Sequence, residues 1–164
     1  MSTSVAIVGT GYVGLTTGAC LAHLGHRVVC ADIDASRVET LRAGSVPFYE
    51  PGLAELVAEG VAAGRLTFVL GGETAVRDAD LVFLCVPTPQ ADDGSVDLSF
   101  VEAAARSIAT SLRPSAVVVN KSTVPVGSAA IVDRIIARSD VTVVSNPEFL
   151  REGDRKSTRL NSSH

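Results

Sequence analysis

The sequence predicts an α/β domain built on a doubly wound, mostly parallel sheet of six strands. Short apolar runs alternate with longer segments of helical spacing, which is the strand–helix–strand order of a parallel sheet. The runs are rich in valine and do not alternate with polar residues, as expected of strands that are buried on both faces. The chain has 164 residues, a length that suits one compact domain.

The predicted strands and helices alternate along the chain. Six apolar runs are predicted as strands, at residues 5–8, 28–31, 66–69, 81–86, 116–119 and 141–144. Segments with helical spacing predict helices at residues 12–24, 36–43, 53–63, 98–111 and 128–138. Asp97 precedes the fourth helix, and its carboxylate is predicted to accept N–H groups of the first helical turn. Three loops rich in proline or glycine are predicted to gather at the carboxyl edge of the sheet, where ligands bind. They are residues 44–52, 87–94 and 122–127.

Composition and charge exclude several classes of protein. With 46% hydrophobic and 20% charged residues, the chain as a whole is not disordered. The net charge is -4 and the basic residues are scattered, so a nucleic-acid partner is not expected. Residues 1–26 carry no charged side chain except histidine, but they contain five glycines and lack a basic start. These features argue against a membrane helix and against a signal peptide.

The chain contains three cysteines, Cys20, Cys30 and Cys85. They lie among apolar residues and lack the spacing of metal ligands. We therefore expect no metal site, and we interpret all three as reduced core thiols of a cytoplasmic protein.

A glycine-rich motif, Gly9-Thr-Gly11-Tyr-Val-Gly14, joins the first predicted strand to the first predicted helix. This context is typical of a Rossmann-type dinucleotide-binding domain. Gly9 permits the tight turn, Gly11 lets the backbone approach a pyrophosphate, and Gly14 lets helix and strand pack closely. The helix N-terminus supplies N–H groups and the positive end of the helix dipole. The motif therefore predicts a phosphate site.

An acidic residue, Asp32, follows the second predicted strand. Its carboxylate can accept both ribose hydroxyls of an adenosine. It also opposes a 2'-phosphate, because two like charges about 4 Å apart cost about 4 kcal/mol at an effective dielectric constant of about 20. Arg37 could pair with such a phosphate, but Asp34 adds negative charge. The sequence therefore predicts NAD rather than NADP as the cofactor.

Several segments together resemble the UDP-glucose/GDP-mannose dehydrogenase family. They are GTGYVGL at 9–15, YEPGL at 49–53, CVPTP at 85–89 with KSTVPVG at 121–127, and NPEFLREG at 146–153. The resemblance covers residues 4–153 in order, and each motif falls on a predicted loop at the ligand edge. It implies an enzyme that oxidises the C6 alcohol of a sugar nucleotide, UDP-glucose by preference, through an aldehyde to the carboxylate. Two NAD are reduced per turnover.

The resemblance also implies roles for individual residues. The implied NAD contacts beyond the glycines are Tyr12, Val13, Asp32, Arg37, Thr88, Thr123 and Glu152. The implied sugar-nucleotide contacts are Glu148, Phe149, Leu150, Arg151 and Glu152. Catalytic roles are implied for Thr123, Glu148 and Glu152, with Thr123 and Glu148 handling protons through an ordered water.

These polar residues also have structural interpretations. Asn146 as N-cap and Pro147 at the first helical position predict a helical turn with Glu148 and Glu152 on one face. Acids in a first turn also complement the helix dipole without any catalytic role. The Thr123 hydroxyl could bond its own turn, and Lys121 is interpreted as a solvated lysine at a strand end.

Three alternatives to a UDP-glucose enzyme remain. A GDP-mannose or UDP-N-acetylmannosamine 6-dehydrogenase would share the motifs, and a non-catalytic NAD-binding module would share the fold. A hydroxyacid or hydroxyacyl dehydrogenase would share the glycine turn but would not explain YEPGL and NPEFLREG.

The end of the chain departs from the family pattern. The family's nucleophilic cysteine and its partner lysine lie in a second domain that has no counterpart in this sequence. We therefore predict a truncated protein whose NAD-binding domain spans residues 1–153 and which is inactive alone. The composition changes at Asp154, where DRKSTRLNSSH holds one aliphatic residue. Residues 154–164 are predicted to be a disordered, non-native tail. For the full-length protein, the resemblance implies a homodimer.

Overall fold

A computed structural model of the protein describes residues 1–147. Its strands are β1 (Ser4–Val8), β2 (Arg27–Asp32), β3 (Leu66–Leu70), β4 (Leu81–Leu84), β5 (Val117–Asn120) and β6 (Thr142–Ser145). Its helices are α1 (Tyr12–His23), α2 (Ala35–Arg42), α3 (Leu53–Ala62), α4 (Gly72–Ala75), α5 (Ser99–Ile108) and α6 (Ser128–Ile136). The predicted acidic loop Glu148–Glu152, the domain boundary at 153 and the tail lie outside the described residues and stay predictions.

The six strands form one sheet in the order β3-β2-β1-β4-β5-β6. Every neighbouring pair is parallel. The predicted Rossmann-type fold is therefore confirmed, and "mostly parallel" becomes entirely parallel in the described part of the chain. The strand order reverses between β1 and β4, which is the switch point at which ligands bind in such sheets.

Alternating side chains of the strands enter two hydrophobic cores. Ile7, Cys30 and Phe68 point toward α1, α2 and α3. Val8, Leu84 and Val118 point toward α4, α5 and α6. Because both faces of the sheet receive apolar side chains, the valine-rich runs need no polar alternation.

The observed helices and strands differ slightly from the predicted ones. The short helix α4 was not predicted, because four residues are too few to show helical spacing. Strand β4 ends at Leu84 rather than at residue 86, and Pro87 has no N–H with which to extend the ladder. The Asp97 carboxylate accepts the N–H of Ser99 at 2.9 Å, as predicted for the start of α5.

The prediction of three core thiols is wrong for Cys20. Cys30 and Cys85 are buried, but Cys20 is exposed on the surface of α1. The inward face of α1 is formed by Leu15, Ala19 and Ala22. Residue 20 lies one position after Ala19, about 100° around the helix, and so turns away from the core.

No helix within residues 1–147 is both long enough and apolar enough to span a membrane. The same residues contain no group of three His, Cys, Asp or Glu side chains placed to hold a metal ion.

Candidate functional site

A cavity of about 700 Å³ opens at the carboxyl edge of the sheet. It runs from the end of β2 across the glycine turn to the segments that follow β4 and β5. The loops at 87–94 and 122–127 contribute Thr88 and Thr123 to its wall. The loop at 44–52 lies beside the N-terminus of α1, at the predicted edge, because Glu50 bonds Tyr12, but it does not line this cavity. It borders a second, neighbouring cavity instead.

The glycine turn combines a tight bend with close packing. Gly9 has a φ of +101°, and a Cβ atom there would lie 2.5 Å from the carbonyl oxygen of Cys85. A Cβ atom at Gly14 would overlap the carbonyl oxygen of Gly9 and lie 3.1 Å from the Cβ of Cys85. Both positions therefore exclude any side chain.

Gly11 differs from its two neighbours in the motif. A Cβ atom there would meet nothing within 4 Å, so the protein leaves open space beside it. Gly11 is the N-cap of α1 and provides no side-chain cap. First-turn N–H groups have no acceptor within their own helix. The geometry therefore provides donors and a positive dipole end beside an open space, which suits a phosphate.

Asp32 is held firmly at the other side of the turn. One carboxylate oxygen, Oδ2, accepts hydrogen bonds from the Thr10 N–H at 2.9 Å and from the Thr10 hydroxyl at 2.6 Å. The other, Oδ1, accepts the Asp34 N–H at 3.0 Å. Burial opposes ionisation, but these hydrogen bonds and the nearby charge of Arg37 outweigh it and hold the pKa of Asp32 below its usual value. Asp32 is therefore a fixed carboxylate at neutral pH.

Arg37 lies against Asp32 rather than apart from it. Its guanidinium Nη1 is 3.8 Å from Asp32 Oδ2. The backbone N–H of Arg37 donates to Asp34 Oδ1 at 3.2 Å, which makes Asp34 the N-cap of α2. The guanidinium of Arg37 therefore faces Asp32, while its backbone N–H is bound by the Asp34 carboxylate.

The far side of the cavity is built from the segments after β4 and β5. The Ser122 hydroxyl donates to the carbonyl of Val86 at 2.8 Å and ties the two segments together. Lys121 lines the cavity, and its Nζ donates to Asn146 Oδ1 at 3.3 Å. The predicted solvated lysine is therefore bonded to the segment that follows β6.

Cys85 also lines the cavity, but its thiol is poorly suited to nucleophilic attack. Burial raises its pKa to about 12, although the charge of Lys121 acts in the opposite direction. Burial raises the pKa of Cys30 as well, with a smaller contribution from Cys85. Both groups are neutral thiols at pH 7.

We expect one reactive thiol in the native protein. Ellman's reagent at pH 8 should titrate Cys20 rapidly, and urea should release the other two thiols, because burial protects Cys30 and Cys85. Cys20→Ser should abolish the rapid phase, and Cys30→Ser should leave it intact. Rapid native labelling of Cys85 would contradict this interpretation of the cavity.

The structure brings most of the sequence-predicted residues to one cavity. Gly9, Gly11, Tyr12, Val13, Asp32, Arg37, Thr88 and Thr123 line it. Gly14 packs beneath the turn instead, and Glu148, Phe149, Leu150, Arg151 and Glu152 lie outside the described residues.

Sequence reasoning missed several residues of the cavity wall, of which Thr10, Ile33 and Phe100 are the most informative. Thr10 holds Asp32, Ile33 is 87% exposed beside it, and Phe100 is 43% exposed at the start of α5. Ile33 had a signal in the sequence, since it is an apolar residue between two acids after a buried strand. Thr10 and Phe100 had none that distinguishes them from turn and helix residues.

The comparisons with known proteins agree with this geometry. A family model described as UDP-glucose/GDP-mannose dehydrogenase family, NAD binding domain, matches residues 3–162. The chain belongs to this family. The cofactor of the matched domain is NAD, as the sequence predicted.

Similar proteins include named enzymes. A UDP-glucose 6-dehydrogenase of Rhizobium meliloti (strain 1021) is 53% identical, over 91% of this chain and 35% of its own length. The UDP-glucose 6-dehydrogenase TuaD of Bacillus subtilis (strain 168) is 48% identical, over 91% of this chain and 33% of its own length. This member of the family thus spans about a third of the length of these relatives.

A solved structure of a UDP-glucose dehydrogenase from Pyrobaculum islandicum superposes with a TM-score of 0.88. It is 45% identical and covers 93% of this chain and 37% of its own. A 3-hydroxyisobutyrate dehydrogenase of Mycobacterium tuberculosis shares only the fold, with a TM-score of 0.61 and 23% identity over 90% of this chain and 40% of its own.

Proposed function

We propose that this domain holds NAD across the cavity at the carboxyl edge, in an enzyme that oxidises UDP-glucose to UDP-glucuronate. The observation that carries the cofactor placement is the open space beside Gly11, between the N-terminus of α1 and the fixed carboxylate of Asp32. On one side of this space lie the N–H groups of the first turn of α1, which has no side-chain cap. On the other side lies the Asp32 carboxylate, which can accept ribose hydroxyls.

In this proposal, different residues of the cavity contact different parts of the cofactor. Asp32 accepts hydrogen bonds from the adenosine ribose hydroxyls, while Thr10 and Asp34 keep its carboxylate in place. The first turn of α1, including Tyr12 and Val13, receives the pyrophosphate. The nicotinamide end lies toward Thr88 and Thr123, on the far side of the switch point. Bound there, NAD supplies a hydride acceptor.

The substrate proposal is supported by the named relatives. Relatives named UDP-glucose 6-dehydrogenase reach 53% and 48% identity, whereas one named GDP-mannose 6-dehydrogenase, from Pseudomonas syringae, is 36% identical. Each oxidation removes one hydride from C6, so conversion of the alcohol to the carboxylate requires two NAD and one water. Thr123, Glu148 and Glu152 are the proposed catalytic residues, and Glu148 to Glu152 are the proposed contacts of the sugar nucleotide.

The second oxidation, of the aldehyde to the carboxylate, calls for a thiolate nucleophile that the residues of this cavity do not supply. An aldehyde becomes a hydride donor again after a nucleophile adds to it, and a thiolate is well suited to this step. Cys85 is a neutral thiol, and Cys20 does not line the cavity. We therefore place the nucleophile in the part of the enzyme that corresponds to the other two thirds of its relatives. A cytoplasmic homodimer completes the proposal, and the free thiols support a reducing location.

The cofactor assignment is tested by comparing NAD with NADP. Calorimetry with the 164-residue chain should show NAD binding and at least about tenfold weaker NADP binding, since the Asp32 carboxylate repels a 2'-phosphate. Asp32→Asn keeps the shape of the side chain and should reduce the difference in affinity between NAD and NADP. Asp133→Asn, which removes an exposed acid of α6, should leave that difference unchanged. Equal affinities of the unmodified chain for NAD and NADP would refute the assignment.

A further inference from the structure

The YEPGL motif has no role in the proposed chemistry, yet its loop lies directly beside the phosphate turn. The Tyr12 hydroxyl donates a hydrogen bond to Glu50 Oε2 at 2.8 Å. The ring of Tyr12 also packs on Phe48, with ring centroids 5.5 Å apart and an interplanar angle of 52°. Two side chains of the loop at 44–52 therefore hold one residue of the glycine motif.

The loop that carries Glu50 is anchored on its own side. Leu53 is only 2% exposed in the core, and its N–H donates to the carbonyl of Glu50 at 3.1 Å. Gly52 adopts a φ of +82° as the N-cap of α3, a conformation that other residues rarely adopt. Phe48 packs against the core cluster that contains Leu53. The backbone that carries Glu50 is thus anchored, and its half-buried side chain reaches Tyr12 from a fixed position.

Tyr12 lies at a critical point of the phosphate site. It is the first residue of α1, directly after Gly11, and its backbone belongs to the turn that faces the cavity. Gly11 has no side chain that could fix the entry of the helix. A hydrogen bond to a carboxylate is about twice as strong as one between neutral groups. The side chain of Tyr12 therefore fixes the orientation of the first turn.

We propose that Glu50 is a positioning residue for the cofactor's pyrophosphate, acting through Tyr12. The YEPGL loop holds the first turn of α1 so that its N–H groups converge on the phosphates before the ligand arrives. This inference rests on the proposed NAD site. It gives the loop a role in affinity for phosphate and none in recognition of the adenosine, which lies on the Asp32 side of the turn.

The test compares ADP-ribose, which carries the pyrophosphate, with adenosine, which does not. Calorimetry measures the affinity for ADP-ribose, and an NMR titration measures the affinity for adenosine. Tyr12→Phe keeps the ring on Phe48 and removes the hydroxyl, and Glu50→Ala removes the acceptor. Each should weaken ADP-ribose binding about tenfold, and the double variant should be no weaker than either single one. Adenosine affinity should change less than about twofold.

Two further variants separate positioning from a general loss of structure. Glu50→Gln keeps an acceptor oxygen and should retain ADP-ribose affinity within about threefold. Glu55→Ala removes a nearby exposed acid in the first turn of α3 and should have no effect. Melting temperatures identify any variant that has lost its fold, in which case the comparison of Tyr12→Phe with the unmodified chain decides.

Several results would overturn the inference. It fails if Tyr12→Phe and Glu50→Ala bind ADP-ribose as tightly as the unmodified chain, or if their effects simply add in the double variant. It fails equally if adenosine and ADP-ribose weaken together. If the unmodified chain binds no ADP-ribose, the proposed NAD site fails first, and this outcome is visible before any variant is made.

Discussion

Replacing Gly14 by alanine is expected to destabilise the domain by about 3 kcal/mol or more, the upper end of the cost of overpacking. Alanine normally favours a helix over glycine by about 1 kcal/mol, so this position should reverse the usual preference. The added Cβ would overlap the carbonyl oxygen of Gly9 and press on the Cβ of Cys85. Backbone atoms cannot move aside as the end of a flexible side chain can.

Urea denaturation followed by circular dichroism measures this effect. A domain of this size has about 5–15 kcal/mol of stability, so the Gly14→Ala variant should still fold at low temperature with a clearly lower urea midpoint. Gly11→Ala is the matched control, because its Cβ would meet no atom within 4 Å. A Gly14→Ala variant as stable as the control would show that the helix and the turn lie further apart than described.

The fold follows from features that are local in the sequence. Runs such as residues 116–119 are short and apolar, and helical segments of fixed order separate them. Buried parallel strands and right-handed crossovers leave few other arrangements. The error at Cys20 arises from the sequence of α1. The apolar character of α1 is nearly uniform around its axis, so composition alone did not distinguish its exposed side from its buried one.

The site was predictable only where its signals are also local. Asp32 is indicated by its place after a strand, and Gly9 and Gly11 by their spacing. The contact between Tyr12 and Glu50 spans 38 residues of sequence and depends on how α3 packs beside α1. No pattern within either motif predicts it. The pairing of Arg37 with Asp32 is a similar case, since its distance of 3.8 Å depends on the turn into α2.

The three glycines of the motif differ in the physical reason for lacking a side chain. Gly9 and Gly14 are required by the protein itself, because any side chain there meets backbone atoms. Gly11 meets no such requirement in the described structure, and its backbone angles of φ -69° and ψ -169° suit any residue. In the proposed NAD site, the absence of a side chain at Gly11 leaves room for the pyrophosphate.

Gly11→Ala should accordingly separate binding from stability. We expect the melting temperature to stay within about 2 °C, which corresponds to about 1 kcal/mol or less, while NAD affinity falls about 100-fold. The added methyl group occupies the space through which a phosphate reaches the first-turn N–H groups, and each hydrogen bond to a charged group contributes about 1.5–3 kcal/mol. Calorimetry with NAD and with adenosine provides the measurement. NAD should weaken strongly and adenosine, held on the Asp32 side, should weaken little. Unchanged NAD affinity in a stably folded Gly11→Ala variant would mean that the pyrophosphate does not cross this turn.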